Sequence, residues 1–319
     1  IQKVNNNPLI GFYKKKSHDI IPTDKCIIQH EINDKIMKII KTYINAYKVS
    51  VYDEKTHTGV LRHLVTKVGF TTNEVMVVLV ANGKKLPYLK ELASVLEENV
   101  PGFKTLVVNV NREKTNVILG RENIVVYGDG KINDYIGELV FEISPLSFFQ
   151  VNPVQTEVLY NKALEYADLK ENDTVFDIYC GIGTISLFLA QKAKKVYGIE
   201  IVEDAIKDAK INANLNNLDN VEFYVGKAEE VVPKMYKEGK TANVVVVDPP
   251  RKGCDEKVLD TIVSMKPDRV VYVSCNPSTL ARDLAYLDER GYKCLEVQPV
   301  DMFPHTMHVE SVAKLEKIK

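Results

Sequence analysis

The chain has 319 residues, of which 45% are hydrophobic and 27% are charged, and its formal net charge is −1. This composition is typical of a globular protein, and the length allows two domains with separate cores. No apolar run approaches the roughly 20 residues that a membrane-spanning helix needs, and Ile1–Lys16 lacks the continuous apolar stretch of a signal peptide. The sequence therefore argues against a membrane protein and predicts a cytoplasmic location.

The five cysteines are scattered along the chain, at Cys26, Cys180, Cys254, Cys275 and Cys294. No two of them form a C-x-x-C pair, which disfavours a zinc ribbon, and an odd, scattered set is typical of reduced cytosolic thiols. The six histidines include no H-E-x-x-H motif, which excludes a zincin-type hydrolase. We therefore expect no metal site.

Residues 1–143 are predicted to form a small α+β domain. Short β-branched or aromatic runs, bounded by Gly, Asn and charged residues, predict strands at Val60–Val68, Val75–Val80, Thr105–Val110, Asn116–Leu119 and Ile124–Tyr127. Apolar residues at helical spacing predict a helix over Tyr88–Glu98. Because the chain starts at Ile1 rather than Met, we expect this domain to be incomplete at its N-terminus.

The charge of this first region agrees with a role in facing RNA. Residues 1–145 contain 20 basic and 16 acidic side chains, whereas the remainder contains 22 and 27. A basic surface attracts nucleic acid. Ordinary scatter of surface charge explains the difference equally well.

Residues 144–319 show a different pattern, in which fully apolar runs alternate with helical stretches. The apolar runs are Thr174–Tyr179, Lys195–Ile199, Val221–Val225, Asn243–Asp248 and Arg269–Ser274, and the helices are Val154–Ala167, Ile185–Lys192 and Val202–Asn212. This alternation predicts a parallel sheet covered by helices on both faces. Ligands of such sheets bind beyond the carboxyl ends of the strands, so the residues that follow each run are the candidates for a site.

The segment Val175–Thr184 has the pattern of a strand, a Gly-x-Gly turn and a helix. Gly181 and Gly183 allow backbone amides to approach a ligand where a Cβ atom would collide. A dinucleotide-binding turn has another glycine three residues later, and Ser186 occupies that position. The spacing therefore favours an adenosylmethionine loop, while Glu200, after the next run, can accept ribose hydroxyls in either class of protein.

Asp248–Gly253 follows the fourth apolar run and reads Asp-Pro-Pro-Arg-Lys-Gly. In adenine-N6 methyltransferases the comparable motif ends in an aromatic residue that stacks on the base. Arg251 and Lys252 stand there instead, which disfavours an amino-group methyltransferase.

Cys275 follows the fifth apolar run, in the polar sequence Ser-Cys-Asn-Pro, and a new helix is predicted near Ser278. A helix N-terminus and nearby cations lower the pKa of a thiol and favour the thiolate, so Cys275 is a candidate nucleophile. A lone cysteine is otherwise a small buried hydrophobe. We keep that interpretation for the other cysteines of this region.

Glu310 is the candidate base, because it follows the apolar, proline-containing loop Asp301–Val309. Partial burial at such a place would raise the pKa of its carboxyl group toward a useful value. His305 and His308 are rival bases, and an exposed charge on a strand is the alternative interpretation of Glu310.

Several motifs together resemble those of the RNA uracil-5 methyltransferases. Five of them occur in the family's order and approximate spacing, at Ser147–Asn152, Asp177–Thr184, Asp248–Gly253, Ser274–Leu280 and Met302–Glu310. Weaker similarity occurs in the first region, at Gly11–Tyr13, Ser17–Ile20 and Leu61–His63. The resemblance implies a Rossmann-like domain dependent on S-adenosylmethionine over residues 144–319, preceded by the smaller α+β domain.

The resemblance also implies roles for individual residues. Cys275 matches the nucleophile that adds to carbon 6 of uracil and makes carbon 5 nucleophilic, and Glu310 matches the base that later removes the carbon 5 proton. The implied or predicted cofactor contacts are Gln150, Tyr179, Gly181, Gly183, Glu200 and Asp248. Phe148 is implied beside the uridine, which must leave the base stack, and Arg62 is a candidate RNA contact.

The residues of these motifs resemble those of the family's 23S ribosomal RNA branch more than those of its transfer RNA branch. The expected partner is therefore 23S rRNA, and tRNA is the alternative. Thr184 and Lys227 depart from the family pattern, and this leaves the detailed cofactor contacts open. Ribosomal relatives often hold an iron–sulfur cluster with four cysteines. Only Cys26 matches a ligand position, so no cluster is expected in this chain.

Two further hypotheses remain. The chain is an adenosylmethionine enzyme that methylates a different RNA atom, or it is a non-catalytic RNA-binding module of the ribosome assembly type. The first is disfavoured by Arg251, and the second leaves Cys275 and Glu310 without a role. No obligate protein partner is evident.

Overall fold

The computed structural model describes residues 1–4, 7–15, 17 and 19–318. The chain divides into two compact units, which are unit 1 (Ile1–Tyr135 and Glu142–Leu146) and unit 2 (Ile136–Phe141 and Ser147–Lys319). His18, part of the weaker family resemblance, lies outside the described residues. Over those described ranges, no helix is long and apolar enough to cross a bilayer.

The first part of the chain, to residue 143, contains ten strands and two helices in its described residues. The strands are β1 (Gln2–Val4), β2 (Asn7–Leu9), β3 (Gly11–Tyr13), β4 (Ile20–Pro22), β5 (Leu61–Val68), β6 (Val75–Ala81), β7 (Phe103–Val110), β8 (Glu122–Tyr127), β9 (Ile132–Ile136) and β10 (Leu139–Ile143). The helices are α1 (Ile32–Ala46) and α2 (Leu89–Asn99).

A four-stranded sheet in the order β5-β6-β7-β8 forms the centre of unit 1. Strands β6 and β7 are parallel and are joined through α2, whereas the two outer pairs are antiparallel. Alternate residues of β6, from Val75 to Ala81, pack in one core with Ile36 and Ile40 of α1 and Leu92 and Leu96 of α2. Helix α1 is absent from the predictions above, although its buried residues recur at helical spacing.

The predicted strand Asn116–Leu119 is wrong, because the backbone of this segment bonds to side chains. The guanidinium of Arg62 donates to the carbonyl oxygens of Asn111 (2.9 Å), Glu113 (2.8 Å) and Thr115 (3.4 Å). The amide of Asn111 donates to the carbonyls of residues 117 and 118 at 2.7 and 3.0 Å. These bonds replace those of a strand ladder and give the segment an irregular course.

Arg62 therefore has a structural role, which disfavours the prediction that it contacts RNA. Its side chain is only 4% exposed, and its guanidinium lies 4.4 Å from the ring centre of Tyr52. A buried guanidinium keeps its charge and must be satisfied by local acceptors. The carbonyl oxygens of Asn111, Glu113 and Thr115 accept hydrogen bonds from its two terminal nitrogens, whereas its buried Nε has no partner among the described residues.

All of the remaining elements lie in unit 2. Its helices are α3 (Pro153–Ala167), α4 (Thr184–Ala190), α5 (Glu203–Leu215), α6 (Ala228–Lys237), α7 (Glu256–Met265) and α8 (Pro277–Asp288). Its strands are β11 (Thr174–Ile178), β12 (Lys195–Glu200), β13 (Val221–Val225), β14 (Val244–Val247), β15 (Arg269–Ser274), β16 (Tyr292–Val300) and β17 (Glu310–Lys317).

These seven strands form one sheet in the order β13-β12-β11-β14-β15-β17-β16. The first five are parallel, and β17 and β16 are antiparallel additions. Alternate residues of β14 point into two separate cores, so Val244 and Val246 lie in one and Val245 and Val247 in the other. The prediction of a mostly parallel sheet buried on both faces is confirmed, and all five apolar runs are strands.

We expect Arg62→Met to lower the free energy of unfolding by about 2–4 kcal/mol, because it leaves one buried and two partly buried carbonyl oxygens without donors. Urea unfolding followed by circular dichroism measures this change. The matched control is Arg112→Met, which alters an exposed arginine of the braced segment. Equal stabilities of the two variants, within about 0.5 kcal/mol, would contradict the bracing role.

Candidate active site

The carboxyl edge of the parallel sheet gathers most of the residues predicted for a site in unit 2. Strand β11 leads into Tyr179, β12 ends at Glu200, β14 leads into Asp248, and β15 leads into Cys275. Because these strands are parallel, their carboxyl ends lie at the same edge. The strand order places the loops after β11, β14 and β15 side by side.

Glu310 reaches this edge from the opposite direction. Strand β17 is antiparallel to β15, and Ser274 pairs with Ser311 in their register. The residue after Ser274 and the residue before Ser311 therefore leave the ladder at the same end. These residues are Cys275 and Glu310, which lie 35 positions apart in the sequence.

The loop after β11 has an unusual backbone. Tyr179, Gly181 and Gly183 all have positive φ, at 72°, 55° and 81°. For a tyrosine this conformation is strained and typical of functional sites. The amide of Gly181 donates to Oε2 of Glu200 at 3.2 Å, and the amide of Val202 donates to Oε1 of the same carboxylate at 2.9 Å.

Gly181 and Gly183 are glycines for different physical reasons. A Cβ atom on Gly181 would meet no atom within 4 Å, so its face is open. A Cβ on Gly183 would lie 3.0 Å from the ring of Phe223 and 3.2 Å from Cβ of Ala209. Gly181 therefore leaves room for a ligand, whereas Gly183 allows close packing of the loop on its own unit.

Three carboxyl groups of the site have raised pKa values. Burial, and then the nearby charges of Glu310 and Asp177, raise the pKa of Asp248 to about 8. Burial raises the pKa of Asp177 to about 7, although the Ser186 hydroxyl donates to it. Burial also raises the pKa of Glu310, which is 4% exposed, while Arg251 lowers it.

The thiol of Cys275 differs from the expectation drawn from its place before a helix. Its pKa is raised by burial and by the charges of Glu310 and Asp248, and Arg251 is the cation that lowers it. The two carboxylates outweigh the favourable effect of the cation. Helix α8 does begin immediately after this residue, with Asn276 as the N-cap.

The remaining predicted residues lie before α3. Phe148 is 72% exposed, and Gln150 is half-buried. The following Asn152 caps α3 and donates to the carbonyl of Met302 at 3.2 Å. This bond joins the start of α3 to the loop that precedes Glu310.

The rival bases His305 and His308 lie in that same loop and are exposed. His305 has a positive φ of 63°, and the ring of His308 lies 6.3 Å from that of Phe303. Glu310 leaves the β15–β17 ladder beside Cys275, because Ser274 pairs with Ser311. This register favours the carboxylate over the imidazoles as the group near the thiol.

Two buried residues of this region have no signal in the sequence. The hydroxyl of Tyr160, on α3, lies 2.9 Å from Oγ1 of Thr184, and Asp283, on α8, is 1% exposed. Both occupy ordinary-looking helix positions. Their burial depends on which neighbouring element faces them, and only the folded structure decides that.

Comparison with known proteins shows that the chain is similar to RNA methyltransferases. Residues 22–318 match the family model described as tRNA (Uracil-5-)-methyltransferase. A protein of Clostridium tetani described as an uncharacterized RNA methyltransferase is 57% identical over 303 residues, which cover 95% of this chain and 66% of that protein. One of Caldanaerobacter subterraneus with the same description is 54% identical over 318 residues, covering 100% and 70%. The chain thus spans about two thirds of these relatives.

A solved structure is also similar over nearly the whole chain. It is the tRNA (uracil-54, C5)-methyltransferase of Pyrococcus abyssi in complex with S-adenosyl-L-homocysteine. The two proteins are 35% identical with a TM-score of 0.80, over 95% of this chain and 72% of that one.

We expect Asp248→Asn to stabilise the protein above pH 8. The folded pKa of about 8 lies above the ordinary value of 3.8, so the wild-type protein loses stability as the pH rises through this window. At pH 9 the free energy of unfolding of the variant should exceed that of the wild-type protein by about 1–3 kcal/mol, and near pH 4 the two should differ little. Denaturant unfolding at both pH values measures this, and Asp219→Asn, at an exposed position, is the control. A variant no more stable than wild type at pH 9 would contradict the raised pKa.

Proposed function

Because the chain belongs to the tRNA (uracil-5-)-methyltransferase family, we propose that it transfers a methyl group from S-adenosylmethionine to carbon 5 of a uridine in RNA. The observation that carries this proposal is the meeting of Cys275 and Glu310 at one end of the β15–β17 ladder. A thiol and a carboxyl group are the nucleophile and the base that substitution at uracil carbon 5 requires.

The loop after β11 supports the choice of cofactor. Gly181 has open space where a side chain would stand, and the Glu200 carboxylate beside it retains lone pairs for ribose hydroxyls. We propose that Gln150, Tyr179, Gly181, Glu200 and Asp248 hold S-adenosylmethionine. When bound, this cofactor supplies an electrophilic methyl group.

Cys275 starts the reaction by adding to carbon 6 of the uracil ring. The thiolate is the reactive form, and the neighbouring carboxylates oppose it. Arg251 favours the thiolate. At neutral pH Asp248, with a pKa of about 8, is mainly protonated, which removes one of the opposing charges.

Glu310 completes the reaction. Addition of the thiolate makes carbon 5 nucleophilic, and after this carbon has taken up the methyl group it still carries its proton. The carboxylate of Glu310 removes that proton, the double bond between carbons 5 and 6 forms again, and the thiolate leaves. A raised pKa makes Glu310 a stronger base than an exposed glutamate.

The target RNA is proposed to be 23S rRNA, because the sequences of the motifs around Cys275 and Glu310 resemble those of the ribosomal branch of the family. Transfer RNA is the second candidate, because the similar protein from Pyrococcus abyssi is a tRNA (uracil-54, C5)-methyltransferase. Phe148, exposed in front of α3, is proposed to contact the extruded uridine in either case, since an exposed aromatic ring can stack on a base.

We expect the protein to release tritium from RNA labelled at uridine carbon 5, in the presence of S-adenosylmethionine, and we expect Cys275→Ala to abolish release. Substitution at carbon 5 must expel that hydrogen. Labelled 23S rRNA and tRNA are assayed separately, and Cys294→Ala, at a half-buried cysteine outside the site, should keep full activity.

Each other outcome of this assay has a distinct meaning. Methyl transfer without tritium release would show that another atom is methylated. RNA binding with neither signal would favour a non-catalytic module. Release from tRNA alone would overturn the ribosomal target and keep the chemistry.

We expect Glu310→Gln to trap the protein covalently on RNA. An amide cannot remove the carbon 5 proton, so tritium release should fall by about 100-fold or more, while a Cys275-linked complex accumulates on denaturing gels. Glu316→Gln, further along the same strand, should show neither effect. A Glu310→Gln protein that turns over normally would eliminate Glu310 as the base.

A further inference from the structure

Two loops meet at the reactive cysteine, and they are tied to each other by side-chain bonds. The amide of Asn276 donates to the carbonyl of Arg251 at 2.9 Å, and the hydroxyl of Thr279 donates to the same oxygen at 3.2 Å. These bonds fix one end of the segment that follows Asp248. They hold its backbone beside the loop that carries Cys275.

The other end of that segment is held by Asp283. Its Oδ2 accepts the hydroxyl of Tyr272 at 2.6 Å and the amide of Cys254 at 2.8 Å. Its Oδ1 accepts Nε of Arg282 at 2.7 Å. Arg282 in turn donates to the carbonyl of Lys252 at 3.0 Å.

This carboxylate lies almost completely inside the protein, with 1% of the residue exposed. A buried charge is costly unless its hydrogen-bonding capacity is used. Here strand β15, helix α8 and the segment after β14 each contribute a donor. Asp283 therefore joins the segment after β14 to strand β15 and helix α8, because donors from all three meet at its two oxygens.

Gly253 shows how closely the segment approaches this junction. Its φ is 81°, and a Cβ atom there would lie 2.6 Å from Oδ2 of Asp283 and 2.4 Å from a guanidinium nitrogen of Arg282. Only a glycine allows this approach. The sequence motif Asp-Pro-Pro-Arg-Lys-Gly thus ends in a residue that the junction requires.

We propose that Asp283 is a positioning residue, which holds the segment 251–254 against helix α8 so that Arg251 faces Cys275 and Glu310. The expected effect on turnover rests on the proposed function, whereas the expected effect on the thiol of Cys275 does not. Asp283 itself touches neither the thiol nor the proposed base among the described contacts. It acts through the backbone of Lys252 and Cys254.

The chemistry of the junction explains why a conservative change should disturb it. Asparagine has the shape of aspartate but replaces one acceptor oxygen by an NH₂ group. Either the backbone amide of Cys254 or the guanidinium of Arg282 would then face another donor. The segment would move away, and Arg251 would lose its place near the thiol.

The experiment measures the reactivity of Cys275 as a function of pH in the wild-type protein, Asp283→Asn and Tyr272→Phe. Iodoacetamide alkylation is followed by mass spectrometry of the peptide that contains Cys275. We expect the midpoint of the rate profile to move to higher pH in both variants, because the cation that favours the thiolate is displaced. The value of kcat should fall by about tenfold or more, with the dissociation constant for RNA changed less than twofold.

The matched control is Tyr292→Phe. Tyr292 is also buried, and its hydroxyl donates to the carbonyl of Pro267 at 2.8 Å. It lies at the opposite end of the sheet, since it pairs with Lys317 whereas Val300 pairs with Glu310. A comparable loss of stability is expected, with no change in the alkylation profile.

The two proposals fail in different ways. An inactive wild-type protein would overturn the proposed function, and the alkylation profiles would still test the junction. An unchanged profile in folded Asp283→Asn and Tyr272→Phe would overturn the positioning role, whatever the activity. An equal shift in Tyr292→Phe would also overturn it, because the effect would then be a general consequence of lost stability.

Discussion

The antiparallel pairing of β17 with β15 is the constraint on which the site depends, because Ser274 opposite Ser311 brings Glu310 beside the end of the strand that leads to Cys275. A parallel strand in this place would put its first residue at the far edge of the sheet. The reversal therefore adds an acid–base group to an edge that otherwise offers only the carboxyl ends of parallel strands. Two remote parts of the sequence thereby bring the proposed nucleophile and the proposed base together.

The same edge concentrates carboxyl groups. Burial raises the pKa values of Asp177, Asp248 and Glu310, and the charges of Glu310 and Asp177 raise that of Asp248 further. Arg251 is the cation that lowers the pKa values of both Cys275 and Glu310. Such an arrangement is unfavourable for folding, since buried carboxylates are poorly solvated. Groups of this kind are typical of functional sites, where the raised pKa values serve proton transfer.

Two buried charged residues organise backbone in this protein by the same physical means. Arg62 collects carbonyl oxygens and Asp283 collects donors, and each holds an irregular segment that has no ladder of its own. A charge inside a protein requires several well-placed partners. Such a residue therefore determines the course of the chain around it, and its loss should be felt as displacement of a loop as well as loss of stability.

The sequence by itself predicted the parallel sheet, because strands buried on both faces must be continuously apolar. It also predicted the glycine turn and Cys275 as site candidates, because ligand sites follow such strands, whereas the prediction of Glu310 rests on its place after an apolar loop and that of Asp248 on the family resemblance. Local pattern was misleading where side chains replace backbone partners, as at 116–119, and where burial reverses an expectation, as for Arg62 and for the pKa of the Cys275 thiol. Only the tertiary structure decided the register of β17 and the role of Asp283. Both depend on partners far away in the chain, and the free energy of a buried charge depends on all the groups that surround it.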